Sequence, residues 1–267
     1  MKHPFLIKES LAFGWKTMAE HLEYFLVVVI IGQVIAYIPQ VAVNILAILI
    51  KSVDIKNTAV IVVSAFLIFA LTIVGIIVTI IIDLGYKRIT ISFQDGITPS
   101  FRDFFIQKPR IVLRSIGGGL LLALAFCGIG VAILLVCLIA YLLLSLLNLD
   151  RQMLQIAFFT IGILGYAIIV GYLGVRFQFY NYLLVSGDTG VIDALHQSFV
   201  MTKGAVWKLS LFALLVVLIN IAGLLVFIVG LLATIPMTLI AYARVYRILQ
   251  QRLAGTPAPL APPIIQS

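Results

Sequence analysis

The sequence predicts an all-α polytopic membrane protein with about six transmembrane helices. Hydrophobic residues make up 63% of the 267 residues and charged residues only 10%, whereas ordinary globular domains contain roughly 45–50% and about 25%. So few charges could not supply the polar surface that a soluble fold needs. In addition, apolar runs longer than the ~18 residues that suggest a spanning helix recur along the chain.

Six apolar blocks are assigned as membrane spans, at residues 22–50, 58–92, 110–147, 152–186, 205–224 and 229–250. Residues 111–147 as one straight helix would measure about 55 Å at ~1.5 Å per residue, against a hydrocarbon core of about 30 Å. We expect this helix to tilt, to project beyond the bilayer, or to break near Gly128 and Gly130. Pro39 is expected to kink or end the first span, because proline removes a helix donor and clashes with the preceding turn. Pro236 is assigned as a structural turn in the last block.

The basic residues predict the orientation. An even number of spans places both termini on one side, and only Lys51, Lys56 and Arg151 of the 18 Lys and Arg residues fall on the other side. The excess of Lys and Arg on cytoplasmic loops therefore predicts cytoplasmic termini. The net charge of +8 becomes one basic face beside anionic headgroups, where each basic residue is worth about 1 kcal/mol. Nucleic acid is not an expected partner, because no soluble module carries the basic patch.

Three segments resemble one another and predict an internal repeat: Phe5–Phe25, Gly96–Leu113 and Gly190–Leu209. Gly96 and Gly190 lie 94 residues apart, and Glu9 and Asp193 lie 184 apart, about twice that period. Each segment carries an apolar stripe at helical spacing, which is typical of an amphipathic helix. The stripes are Ile7, Leu11, Trp15, Met18 and Leu22; Ile97, Phe101, Phe104 and Phe105; and Val191, Ile192, Leu195 and Phe199.

The predicted repeating unit is an interfacial amphipathic helix, a turn and a membrane hairpin. Such helices lie in the headgroup plane, although an amphipathic segment could also be merely how a hairpin re-enters the membrane. Thr98 and Pro99 fit an N-cap and a first helical position. Units at about 5–95, 96–189 and 190–254 would form one membrane domain, 1–254. The Pro-rich residues 255–267 would form a flexible tail.

The third segment contains a turn suited to the membrane surface. Gly204 lets the chain turn into a span, while Trp207 and Lys208 would anchor at the interface. Thr202 and Lys203 could bind a lipid phosphate there, or the motif could anchor the helix without a specific ligand. The second segment contributes further candidates for contact with headgroups or a partner: Arg102, Lys108 and Arg110.

One part of the chain resembles a known family. Asp193–Leu209 reads D-A-L-x-x-S-x-x-x-T-K-G-x-x-W-K-L, and Thr234–Arg247 reads T-I-P-M-T-L-I-A-Y-A-R-V-Y-R. These motifs resemble the membrane domain that accompanies some bacterial glycerophosphoryl diester phosphodiesterases, and the related YciC-type integral membrane proteins. The resemblance covers roughly 176–250 and is only architectural before that. It implies a bacterial inner-membrane protein of about six helices and lends no catalytic residue. We expect no soluble phosphodiesterase barrel in this sequence, because no alternating strand–helix pattern of its size occurs.

Signatures of catalysis are missing from the sequence. His3, His21 and His196 form no ligand-spaced pair, and Cys127 and Cys137 lie within apolar sequence, where a thiol behaves as a small hydrophobe. We therefore predict no catalytic residue, no metal and no cofactor.

Two ionisable residues inside the predicted spans favour a functional role, because burying charge in hydrocarbon is costly. Arg176 is expected roughly ten residues, or ~15 Å, from the cytoplasmic end of its helix, and Asp83 at a comparable depth. We hypothesise that they pair, or that Arg176 binds a lipid phosphate through its planar fork. A structural salt bridge, or snorkelling to the interface, is the alternative.

These observations favour a non-enzymatic membrane protein that binds anionic lipid, a membrane-protein partner or a second copy of itself. The first alternative is a small-solute or lipid transporter with a cavity near Arg176. The second is an intramembrane lipid-processing enzyme, which would require polar residues clustered from several spans.

Overall fold

The computed structural model describes residues 5–52, 58–105, 107–145, 151–187, 189–226 and 229–255. Within these ranges all regular structure is α-helical, which confirms the predicted class. The helices are α1 (Ile7–Glu20), α2 (Leu22–Ser52), α3 (Thr58–Gln94), α4 (Phe101–Phe105), α5 (Pro109–Ser145), α6 (Arg151–Phe177), α7 (Tyr180–Ser186), α8 (Val191–Met201), α9 (Val206–Leu225) and α10 (Val229–Ala254). The expected tail, from residue 256 onward, lies outside the described residues.

Six stretches of the described chain are long and apolar enough to cross a membrane. They are Leu22–Ile50, Val60–Gln94, Pro109–Ser145, Gln152–Ser186, Val206–Leu225 and Gly230–Ala254. These ranges agree closely with the predicted blocks and confirm a polytopic architecture. The helices pair as three hairpins, α2 with α3, α5 with α6, and α9 with α10.

Helices α2, α5 and α10 are continuous at the positions where the sequence allowed a helix to end or break. Helix α5 is continuous for 37 residues, so the chain does not break at Gly128 or Gly130. Helix α2 continues through Pro39, and α10 continues through Pro236, so neither proline ends its helix. The Pro39 ring lies against Gly75 of α3, where an added Cβ would be 3.2 Å from the proline Cβ. The missing side chain at Gly75 thus makes room for the proline ring inside the first hairpin.

The buried core lies at one end of the helix bundle. One cluster joins α7, α8, the start of α9 and the end of α10, with Phe179, Leu209, Phe212 and Tyr246 fully buried. A second cluster joins α1, α4, the start of α2 and the end of α3 around Phe104 and Ile240. We call this region, with its four short helices α1, α4, α7 and α8, the core end.

Away from the core end, the hairpins expose apolar side chains. Phe66 on α3 is 69% exposed and Phe159 on α6 is 72% exposed. Contiguous apolar surface of this extent is rare on a soluble monomer, whereas it is what contact with lipid tails requires. Packing between hairpins therefore concentrates at the core end, and each hairpin stands mostly by itself beyond it.

Helix α1 packs lengthwise on α10. Gly14 lies against Ala241, and the guanidinium carbon of Arg244 lies 4.3 Å from the centroid of the Phe13 ring. The buried residues of α1 include Ser10, Gly14 and Met18, whereas Trp15 is 54% exposed. The stripe residue Trp15 therefore faces away from the protein core, and α1 buries its small residues against α10.

The second short helix is shorter than the sequence suggested. Helix α4 comprises only Phe101–Phe105, and Ile97 lies before it, 61% exposed. The Ser100 hydroxyl accepts a hydrogen bond from the Arg102 N–H at 3.3 Å, and the Ser100 N–H donates to Asp103 at 3.0 Å. This reciprocal arrangement is a capping box. Ser100, rather than the expected Thr98, therefore caps the helix.

The short helices contact the hairpins in cyclic order. Three of the four short helices pack on the second helix of a hairpin. Helix α4 packs on α3, and α8 packs on α6 and on α7, which follows α6; α1, the first helix of the chain, packs on α10 of the last hairpin. Because the first short helix closes on the last hairpin, the three contacts form a ring at the core end.

Equivalent positions mediate these three contacts. Phe104 of α4 packs on Gly85, where a Cβ would overlap the Phe104 carbonyl oxygen. Ser198 of α8 accepts a hydrogen bond from the Phe179 N–H at 3.3 Å. Phe104 and Ser198 lie 94 residues apart, as do Gly85 and Phe179, and Gly14 precedes Ser198 by 184. These separations equal the two offsets found in the sequence, so they support the predicted repeat.

Candidate functional site

The turn between α8 and α9 is formed as predicted. Gly204 adopts a φ of 77°, a left-handed conformation that glycine adopts without strain. Lys203 is exposed, Trp207 is 85% exposed, and Lys208 is partly buried in the next turn. A large aromatic side chain beside two lysines at the start of a span is the arrangement expected at a membrane surface.

Thr202 does not belong to this surface. Its side chain is fully buried, and its hydroxyl donates to the carbonyl oxygens of Ser198 at 2.9 Å and Phe199 at 3.1 Å. It also accepts a hydrogen bond from Nη1 of Arg176 at 3.4 Å. The expectation that Thr202 binds a lipid phosphate is therefore wrong, because its hydroxyl is directed into the core.

Arg176 holds α6 and α8 together. It is 5% exposed, with its guanidinium carbon 3.6 Å from the centroid of the Phe199 ring and 5.7 Å from that of Tyr172. Its carbonyl oxygen accepts a hydrogen bond from the Ser198 hydroxyl at 2.9 Å. Arg176 lies in the last turn of α6, which ends at Phe177, and it precedes Ser186, the end of this apolar stretch, by the expected ten residues. A cation is favourable at a helix C-terminus.

Asp83 has different partners from the one that the sequence suggested. It forms an ion pair with Lys87, one turn later on α3, and accepts a hydrogen bond from Nδ2 of Asn181 at 3.4 Å. The Asn181 Oδ1 accepts a hydrogen bond from the Ser115 hydroxyl at 2.9 Å. Among the described residues, Asp83 and Arg176 do not pair, so that hypothesis is wrong. The Asp83 network instead joins α3, α5 and α7.

A polar cavity of about 400 Å³ opens at the core end. It is lined by Arg88, Gln107, Lys108, Arg110, Ile111, Val185, Ser186 and Gly187, and we call it the basic cavity. Arg88 comes from α3, Lys108 directly precedes α5, and Arg110 lies in the first turn of α5; Val185 to Gly187 lie at the end of α7 and directly after it. Sequence reasoning selected Lys108 and Arg110 but missed Arg88 and Ser186, whose only local signal is a position near the end of a span.

Two acceptor groups accompany the basic side chains. The Oδ1 atom of Asp103 lies 3.8 Å from Nη2 of Arg88. Nε2 of Gln107 donates to the carbonyl oxygens of Asp103 at 3.2 Å and Phe104 at 3.3 Å, whereas its buried Oε1 has no hydrogen-bond partner among the described residues. Arg102, also predicted as a headgroup contact, is exposed on α4 and does not line the cavity.

Two further cavities are apolar and lie within hairpins. One of about 690 Å³ separates α5 from α6 and is lined by residues that include Cys137, Tyr141 and Phe159. The other, of about 290 Å³, lies between α2 and α3 beside Pro39. Arg176 lines neither of these nor the basic cavity. The cavity expected near Arg176 is therefore not among them.

The described residues offer no metal centre, because no three His, Cys, Asp or Glu side chains among them come together as ligands would. Cys127 and Cys137 are free thiols. No protein-family model matches the chain, and no curated protein sequence or solved structure is significantly similar to it.

Proposed function

We propose that this chain is a non-enzymatic protein of the bacterial cytoplasmic (inner) membrane that binds anionic lipids through its core end. The observation that carries the proposal is Trp207, which is 85% exposed between Lys203 and Lys208 where α9 begins. Arg102, Lys108 and Arg110 are exposed at the same end. Basic side chains near a bilayer surface attract anionic lipids, and exposed indoles partition to the headgroup level.

The proposal includes an orientation, with both termini and the core end in the cytoplasm. Two single-cysteine variants in a background without Cys127 and Cys137 test it, one at each end of α9. Lys203→Cys should react with a membrane-impermeant maleimide only in inverted vesicles, and Val226→Cys only in intact spheroplasts. The reverse pattern would place the basic face outside and remove the basis for the proposal.

Lipid binding is tested in mixed nanodiscs of phosphatidylcholine and phosphatidylglycerol. The triple variant K203A/W207A/K208A should retain about thirtyfold less phosphatidylglycerol than the original chain, because the two lysines together contribute about 2 kcal/mol and each 1.4 kcal/mol is a factor of about ten. Native mass spectrometry of the released complexes measures the retained lipid. The matched control K203R/K208R keeps the charge and should bind normally. Equal retention by the triple variant and the original chain would exclude this turn as a lipid site.

The resemblance to YciC-type membrane proteins supports the same proposal. The segment that carries the resemblance, Asp193–Leu209, forms α8, the Gly204 turn and the start of α9. Because that family contributes no catalytic residues, membership would be consistent with a binding protein. It would also account for the bacterial inner-membrane location that we propose.

A further inference from the structure

We propose that the basic cavity binds a phosphate ester that also carries a hydroxyl group, as in the glycerol headgroup of an anionic phospholipid. This inference deepens the proposed function and relies on it only for the membrane location. The basic cavity and the Trp207 turn lie on different helices, so each can be tested without the other.

Convergent positive charge is the first reason. Arg88, Lys108 and Arg110 reach one cavity from α3 and from the start of α5. Like charges in a confined space repel each other, and the repulsion grows as water is excluded. Asp103, at 3.8 Å from Arg88, offsets part of it. Arginine guanidinium groups match the oxygen geometry of phosphate, and lysine supports them as a point charge.

Gln107 specifies a second feature of the ligand. Its Nε2 donates to two carbonyl oxygens, those of Asp103 and Phe104, and these bonds determine which end of the amide is the acceptor. The remaining Oε1 is buried without a partner among the described residues, which costs about 1–3 kcal/mol for a polar atom removed from water. A hydroxyl on the ligand would donate to it. The combination of cations and one free acceptor thus favours a hydroxyl-bearing ester.

Size and position fit a lipid headgroup. A volume of about 400 Å³ falls within the roughly 300–1,000 Å³ of typical ligand sites. The cavity lies at the start of the span Pro109–Ser145, where a helix enters the membrane. Ile111 and Val185 add apolar wall beside the charged groups. A phospholipid could therefore place its phosphate in the cavity while its acyl chains stay in the bilayer.

The experiment compares lipids that differ only in the predicted features. The full chain is placed in nanodiscs that contain phosphatidylcholine with phosphatidylglycerol or with phosphatidylmethanol, an anionic ester that lacks the hydroxyl. Native mass spectrometry measures the retained lipid. We expect the original chain to retain phosphatidylglycerol in preference to both other lipids. K108A/R110A should lower retention at least about tenfold, in line with the strength of charged hydrogen bonds, and K108R should retain it.

A second variant separates recognition from folding. Gln107→Leu should abolish the preference for phosphatidylglycerol over phosphatidylmethanol while leaving the binding of phosphatidylmethanol unchanged.

Calorimetry with soluble glycerol 1-phosphate shows whether the ligand of the basic cavity is a free phosphate ester or a lipid headgroup. Binding comparable to that of the lipid would assign the cavity to a free ester, and much weaker binding would assign it to the headgroup.

Two outcomes overturn the inference. If K108A/R110A retains phosphatidylglycerol normally while K203A/W207A/K208A loses it, the basic cavity is not a site and the proposed function stands. If the original chain shows no preference for either anionic lipid over phosphatidylcholine, and glycerol 1-phosphate does not bind, both the inference and the proposed function fail.

Discussion

The contact between α1 and α10 allows a substitution whose effect can be worked out from the structure. A Cβ added at Gly14 would overlap the carbonyl oxygen of Met237 and would lie 3.2 Å from the Cβ and 3.3 Å from the nitrogen of Ala241. The overlapping atom belongs to the backbone, so it cannot move aside as a flexible side chain would. Gly14→Ala must therefore separate the two helices locally.

Two opposing terms determine the size of the effect. Overpacking a well-packed contact costs about 1–3 kcal/mol, whereas alanine is favoured over glycine inside a helix by about 1 kcal/mol. Gly171 of α6 supplies the matched control, because an added Cβ there meets nothing within 4 Å. Gly171→Ala should leave the protein unchanged or stabilise it by up to about 1 kcal/mol. The two variants should thus differ by about 1–3 kcal/mol.

Reversible unfolding in mixed micelles of mild detergent and SDS, followed by circular dichroism, measures this difference. We expect Gly14→Ala to unfold at the lower SDS fraction. Stabilities within about 0.5 kcal/mol of each other, the usual range for surface substitutions, would refute the close contact between α1 and α10.

Three further predictions use the same assay. Arg176→Met should destabilise the protein by about 2–4 kcal/mol, because it removes a buried cation–π contact and a hydrogen bond. The control Lys16→Ala, in an exposed ion pair, should change stability by less than about 0.5 kcal/mol. Equal effects of the two substitutions would refute the assigned role of Arg176. A double-mutant cycle of Asp83→Asn and Lys87→Met should give a coupling of about 0.5–3 kcal/mol, and additive effects would show that the pair is not formed. Pro39→Ala should stabilise the first hairpin by about 1–3 kcal/mol, because it restores a helix hydrogen bond; destabilisation would show that the ring's packing against α3 matters more.

The spans could be predicted because hydrophobicity is a local property of the chain. A run of apolar residues must be helical in lipid, since every backbone group needs an internal partner there. For the same reason Pro39 and Pro236 could not be relied upon to end a helix. A proline can be accommodated in a membrane-spanning helix when its neighbours adapt to it, and Gly75 leaves space for the Pro39 ring.

The buried face of α1 could not be predicted from its apolar stripe. The stripe identifies which side avoids water, but lipid and protein core both satisfy that requirement. Trp15 belongs to the stripe and is 54% exposed, whereas Ser10 is fully buried. Small residues let helix backbones approach closely in membranes. The signal that could have identified the contact was therefore the small residue Gly14, not the large apolar side chains of the stripe.

The partners of Arg176 were also beyond sequence reasoning. Its hydrogen-bonded partner, Thr202, is 26 residues away, and the α6–α7 break between them is not evident from composition. By contrast, the offsets of 94 and 184 residues relate Gly14, Phe104 and Ser198, which all lie in contacts between a short helix and a hairpin. The repeat stays a prediction, which the contacts of Gly14, Phe104 and Ser198 support.

The positions of the polar contacts bear on our proposal that the core end binds lipid. The buried contact of Arg176 and the partly buried contact of Asp83 both lie at the core end. Nearer the start of α3, away from the core end, the hydroxyls of Ser64 and Thr72 donate to carbonyl oxygens four residues earlier. These hydroxyls are therefore satisfied within the helix. A hydrophilic solute crossing the bilayer would need polar partners at all depths. A lipid headgroup needs them only at one surface, and the contacts of Asp83 and Arg176 at the core end are consistent with the lipid binding that we propose.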